Sequence, residues 1–257
     1  MKTGLGKSVF FSRIIGRCLL ASLGFFFLDL QPDRQFLSVT GSPAWAQEQE
    51  DKDEEKDLAN KAEGVILDLS AKNRWFKTHV TEAMAVFIAP NLYRGRVLTG
   101  GSGLLIVRQD DGWSQKAFYR VEVPDLGFNL ASDRLEIVLL IRSHMGLSSF
   151  YTGGFQLGRG IRIADGLTVG QASIDDLTVD VVSFTRLQST GTYTTIPLNG
   201  VRIIVSDDYN KSFYGTAVEA VEILRSNSVS DLSLSGLLSA LRNPPICPKP
   251  DKSLCRP

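Results

Sequence analysis

Histidine is the side chain first sought for acid–base or metal chemistry near neutral pH, and this chain has two, His79 and His144. His79-Val80-Thr81-Glu82 has an H-x-x-E spacing, but no second histidine or cysteine cluster accompanies it, and zinc requires three or four protein ligands. No G-x-S-x-G elbow signals a nucleophilic serine. Gly100-Gly101-Ser102-Gly103 lacks the Lys-Ser/Thr and the following helix of a phosphate loop. Asp175-Asp176 and Asp207-Asp208 fall at turns and read as solvated caps, the second pair placed to cap a short helix leading to Tyr214. These residues predict a protein that is not an enzyme and needs no cofactor or metal.

The remaining chemistry is that of cations beside rings. Lys72, Arg74 and Lys77 are interleaved with Trp75 and Phe76. Near a bilayer, aromatic rings take the interface while each Lys or Arg gains about 1 kcal/mol from anionic headgroups. The competing reading has Trp75 and Phe76 covering the core while the cations are solvated. The basic turn Arg94 and Arg96 could join the same surface. The candidate lipid-binding residues are therefore Lys72, Arg74, Trp75, Phe76, Lys77, Arg94 and Arg96.

The elements that position this set surround residues 83–108. Met84 to Ile88 reads as a short buried strand ended by Pro90; Gly100, Gly101 and Gly103 read as a hinge, and Leu104 to Val107 as a second strand. Upstream, Leu58, Ala62, Val65, Ile66 and Leu69 fall on one helical face. That face predicts a helix packed on a sheet, with a helix lying on a membrane surface as the sharper alternative. Downstream the pattern is mostly β: Ala117 to Val123, Leu126 to Leu130, Ile137 to Ile141, a strand from Phe155 to Ile163 with a bulge near Gly158 and Gly160, Leu177 to Thr185, and Val201 to Val205. A brief irregular or helical piece covers Ser143 to Tyr151. Helices are expected at Ala217 to Arg225 and, behind an N-cap at Ser230, at Asp231 to Leu241, whose leucines make an apolar stripe. The fold class expected is α+β, a β-rich single domain of mainly antiparallel strands with flanking N- and C-terminal helices.

The formal charge is zero across 257 residues, with 28 Lys and Arg against 28 Asp and Glu, which disfavours a general nucleic-acid binder. The balance is uneven along the chain. Glu48 to Asp57 is a run of acids, read as a solvated linker over residues 47–57, and the remainder from Leu58 is mildly basic. Residues 1–46 read as a signal peptide, with Lys2, Lys7, Arg13 and Arg17 before the apolar Cys18 to Leu30 and Ala44-Trp45-Ala46 as the cleavage pattern. An uncleaved membrane anchor is the competing reading. Cleavage would leave Cys247 and Cys255, which predict one local disulfide in the tail of an exported chain. The expected location is the periplasm or cell envelope.

A series of motifs then occurs in order. AVFIAPNLYRGRVLTGGSGLLIVR resembles the opening of the SYLF domain; Gly112-Trp113-Ser114 with Ala117-Phe118-Tyr119 resembles its G-x-W-S and A-F-Y segments. Leu126-Gly127-Phe128, the run IVLLI, Phe155 to Gly158 and VVSFTR follow, and Asn210, Phe213-Tyr214-Gly215 and Val218 to Leu224 resemble the closing N-x-x-F-Y-G-x-x-V. The resemblance covers Leu58 to Arg225, giving a SYLF-like domain over residues 58–226 and a helix with a Cys-containing tail over residues 227–257. It departs at GTYTTIPLNG, where the family commonly has a glycine-rich hairpin. The resemblance implies binding of phosphoinositides or other anionic lipids through an amphipathic N-terminal segment and a basic surface, which adds Lys61 to the candidate lipid-binding set, with actin association in yeast and animal members. For an exported protein, actin binding is not expected; the partners expected are anionic headgroups. An envelope protein-interaction or assembly module, docking through Leu234 to Leu241, is the alternative.

Overall fold

The computed structural model describes the backbone of residues 44–94, 99–110, 112–124, 134–169, 178–225 and 235–242, with side chains from Asp57 onward other than those of Arg94, Thr99, Val169, Ser235 and Arg242. The leader before residue 44, Leu126 to Leu130, Ser230, Asp231, Arg96, Cys247 and Cys255 lie outside the described residues.

Helix α1 runs from Ala44 to Lys72 and α2 from Arg74 to His79. The acidic residues 47–57, expected as a linker, are instead the opening turns of α1. Asn73 separates the two helices and its side chain accepts from Phe76 N at 2.8 Å, the cap that restarts the helix. The apolar stripe predicted from Leu58 packs inward: Ala62, Val65, Ile66 and Leu69 are all buried against the sheet.

The sheet contains β1 (Ala85–Arg94), β2 (Thr99–Gln109), β3 (Gly112–Trp113), β4 (Ala117–Val123), β5 (Leu135–Ile141), β6 (Gly154–Gln156), β7 (Ile163–Asp165), β8 (Val181–Leu187), β9 (Thr192–Tyr193) and β10 (Arg202–Val205). Its main path is β6-β10-β4-β2-β1-β5-β8-β7, antiparallel throughout except for the parallel β7–β8 pair. The architecture is the expected α+β, β-rich domain. Alternate residues of β1 face opposite cores. Ala85, Phe87 and Ala89 join one cluster, and Val86 and Ile88 the other. Both faces are covered, which is why the central strands read as unbroken apolar runs. One face carries α3 (His144–Phe150) and α6 (Ala220–Arg225); the other carries α1, α2, α5 (Asp207–Tyr214) and α7 (Ser235–Arg242), and a short α4 (Gly166–Val169) follows β7.

Four local readings are corrected. Pro90 does not end β1: the strand continues to Arg94 through a bulge, with register shifts against both β2 and β5. A proline in a central strand fits at a bulge, where the ladder needs no N–H. Gly100, Gly101 and Gly103 are not a hinge but lie inside β2, none of them in the left-handed region. They allow close approach instead; a Cβ on Gly103 would stand 2.5 Å from Phe87 Cζ and one on Gly100 would stand 2.2 Å from Val121 O. Phe155 to Ile163 is two strands rather than one bulged strand, and β6 and β7 occupy opposite ends of the sheet path. Lastly, β8 starts at Val181 and not at Leu177 (itself outside the described residues), because the buried Asp180 is engaged elsewhere.

The connection between β6 and β7 fixes the shape of this domain. Eight strands laid flat would hold the two edges about 33 Å apart. Residues 156 to 163 span at most about 25 Å even when extended. The sheet is therefore curled, and Leu157 and Ile161 of this connection are buried in the core on its inner side. Asp180 anchors the far end. It accepts from Arg162 N at 2.9 Å and Nε at 3.3 Å and from Ser143 Oγ at 2.6 Å. Burial pushes the Asp180 carboxyl up, but the bonds from Ser143 and Arg162 and the Arg162 charge outweigh it and hold the group below the usual carboxylate range.

Candidate functional site

Along α1, Asp57, Lys61, Gly64, Asp68 and Lys72 follow one another at three- and four-residue steps and so share one side of the helix. Each lysine pairs with the aspartate one turn before it: Lys61 with Asp57, and Lys72 with Asp68 at 2.8 Å. This side of α1 lies over the ends of β1, β5 and β8. There Glu136 and Arg186 stand directly opposite in the β5–β8 ladder. Arg186 Nε donates to Glu136 at 2.6 Å and Nη1 donates to Asp68 at 2.7 Å. The hydrogen bond to Glu136 raises the Arg186 pKa against the opposing effect of burial, so the guanidinium is fixed as a cation. Gln188 Nε2 bridges Glu136 at 3.0 Å and the Pro90 carbonyl at 3.2 Å. Tyr193 donates to Asp68 at 3.2 Å, and burial pushes its phenol up. The bulge at Pro90 is thus tied to the helix through five polar side chains.

Beside this network is a cleft of about 320 Å³, lined by Lys61, Gly64, Asn91, Arg134, Arg186 and Gln188 among others. Arg134 Nη1 donates to Asn91 Oδ1 at 2.7 Å. Gly64 is exposed on the rim, with nothing within 4 Å of where a Cβ would be. Through Lys61 and Asn91 this cleft adjoins a second one of the same volume, lined by Asp57, Tyr93, Gly101, Ser102 and Tyr209. The chemistry available is ion pairing and hydrogen bonding. Among the described residues no group of three or more His, Cys, Asp or Glu could hold a metal ion.

The predicted set is dispersed by the fold. Lys61 and Lys72 are exposed on the α1 edge, each held by its aspartate. Arg74 is exposed at the start of α2 and Lys77 is half-buried. Phe76 is 0% exposed and packs edge-on against Phe184 at 5.3 Å, so it is a core residue and cannot reach a headgroup. Trp75 is half-buried, its ring 4.3 Å from that of His79 and 6.0 Å from that of Phe184. The core-covering alternative therefore describes both rings. Arg94 ends β1, and its side chain, like Arg96, is outside the described residues. His79 Nδ1 is 2.6 Å from the Trp75 carbonyl, a helix-end contact. The leucine stripe proposed as a docking face is already used: Leu237 and Leu241 are buried against the core beneath α1.

Asp68, Asn91, Arg134, Glu136, Arg186 and Gln188 were missed by the sequence reading. One signal was present. Glu136 stands between Leu135 and Ile137 in an otherwise apolar strand, and a buried carboxylate demands a partner. The N-x-x-F-Y-G motif proves structural. Asn210 is buried, accepting from Phe118 N at 2.8 Å and donating to Phe118 O at 3.2 Å, while the Tyr214 hydroxyl donates to Lys116 O at 2.6 Å. Gly215 closes α5 in the left-handed conformation at φ 69°.

Residues 123–243 match a family model described as "Ysc84: Las17-binding protein actin regulator". A Bos taurus protein, "SH3 domain-containing YSC84-like protein 1", is 27% identical over 150 residues, covering 56% of this chain and 44% of that protein. The match thus spans less than half the length of that relative. With the ordered motifs and the clip that Asn210 and Tyr214 form on the start of β4, these matches support the resemblance to the SYLF-domain family of Ysc84-type proteins.

Proposed function

We propose that this protein is an exported, non-catalytic module that docks on anionic lipid headgroups in the cell envelope through the α1 edge. Similarity to the Ysc84-type SYLF family supports a lipid-binding or actin-related module. The leader-like N-terminus would remove the chain from actin, which leaves lipid. The observation carrying this reading is the convergence of Lys61, Arg134 and Arg186 on one open cleft. Lys72 extends the same edge by about 16 Å along α1, at 1.5 Å per residue from Lys61. Carboxylates offset much of this charge, so the affinity expected is modest and each exposed cation contributes about 1 kcal/mol or less.

The test is sedimentation of the compact unit Ser42–Pro257 with phosphatidylcholine vesicles that contain or lack phosphatidylserine. Binding is expected only with the anionic lipid, falling as salt shortens the screening length. Lys61→Glu combined with Arg134→Glu is expected to abolish it. Lys72, Arg74 and Lys77 changed together to glutamate are expected to weaken it less. Equal binding to neutral vesicles would refute the electrostatic part of this reading.

A further inference from the structure

Tyr93 is 54% exposed, the most exposed large hydrophobic side chain among the described residues. It stands at the second cleft, where the side-chain-free Gly101 forms part of the lining and Asn91, Ser102, Asp57 and Lys61 supply polar groups. A ring left in water beside donors and acceptors of both kinds suits a particular ligand chemistry. Anionic groups are poorly served there, because Asp57 faces the same space and is paired to Lys61. An apolar ligand would leave those polar groups unpaired. A saccharide meets both conditions. One face of a pyranose is made of polarised C–H bonds that lie against the negative face of an aromatic ring. Its rim of hydroxyls both donates and accepts, as a carboxylate, an ammonium and an amide side by side require. The volume of about 320 Å³ falls at the lower end of small-molecule clefts.

We propose that this cleft binds a neutral saccharide unit, one ring lying on Tyr93 with its hydroxyls bridged by Asp57, Lys61 and Asn91. The source could be a free oligosaccharide or the headgroup of a glycolipid. Lys61 lines both clefts, but binding here is distinguishable from the membrane docking above, since its ligand carries no net charge and its binding is expected to be insensitive to salt.

The test has two arms using the full chain. Calorimetric titration with maltose, cellobiose, lactose and chitobiose probes free sugars. Flotation with phosphatidylcholine vesicles containing digalactosyl diacylglycerol probes a glycolipid. Saturable binding is expected in at least one arm, weakened about tenfold or more by Tyr93→Ala, preserved by Tyr93→Phe and weakened by Asp57→Asn. Tyr93 is exposed enough that neither variant should disturb folding, which a melting curve checks. Absence of binding in both arms overturns the proposal. So does binding that is untouched by Tyr93→Ala, or that disappears in high salt.

Discussion

Replacing Glu136 with glutamine should be among the more damaging polar substitutions in this domain. Glu136 is 4% exposed and accepts two hydrogen bonds, from Arg186 Nε and Gln188 Nε2. The Arg186 side chain is 16% exposed, so little water is available to replace the lost carboxylate. Breaking a buried ion pair from one side costs about 3–5 kcal/mol. Asp68 still meets Arg186 Nη1, which places the expected loss at the lower end, about 3 kcal/mol. For a domain of this size that corresponds to a fall in Tm of about 6–12 °C. Urea unfolding of Glu136→Gln, Arg186→Met and the double variant measures it. The double variant should lose less than the two single losses combined, by about 1 kcal/mol or more, because each single change strands the partner's charge. A Glu136→Gln protein within about 0.5 kcal/mol of the parent, or strict additivity, would refute the view that this pair ties the bulge to the helix.

Two further outcomes follow from geometry. Asp180 has a folded pKa below its ordinary value near 3.9, so its contribution is present above that pH and is lost as pH falls through the folded value. Stability measured by urea unfolding from about pH 5 to pH 2 should fall more steeply for the parent than for Asp180→Asn; parallel curves would remove the carboxylate from this role. Gly103→Ala would place a Cβ 2.5 Å from Phe87 Cζ, and that ring is boxed in by Tyr119 at 6.0 Å and Phe150 at 5.5 Å. A loss of about 1–3 kcal/mol is expected, and an unchanged unfolding midpoint would show that the ring can move aside.

Periodicity was a good guide where one face or both faces are buried. The stripe from Leu58 to Leu69, the run at Ile137 to Ile141 and the strand at Ala117 to Val123 all appear as read, because burial imposes the pattern directly. Breakers misled where tertiary contacts set their meaning. Pro90 marks a bulge between two paired neighbours, and the glycines of β2 answer to a phenylalanine and to a carbonyl on adjacent strands. Neither fact is local. The candidate site was hardest to read for the same reason. Asp68 meets Arg186 across 118 residues and Glu136 meets it across 50, so only the topology brings them together. Phe76 was ambiguous because an aromatic beside cations suits both a membrane interface and a core. Packing against Phe184 decides for the core.

The distribution of strand lengths has a consequence for how copies of this chain meet. β1 and β2, of ten and eleven residues, lie in the middle of the sheet, where both neighbours already occupy their hydrogen-bonding groups. At the two rims are β6 and β7, three residues each and bound to one another by a short tether. A stub of that length offers a stranger's backbone too few unpaired amides to add on stably. An antiparallel sheet this rich in valine, isoleucine and leucine would otherwise template its own aggregation, and here the rim shuts that route.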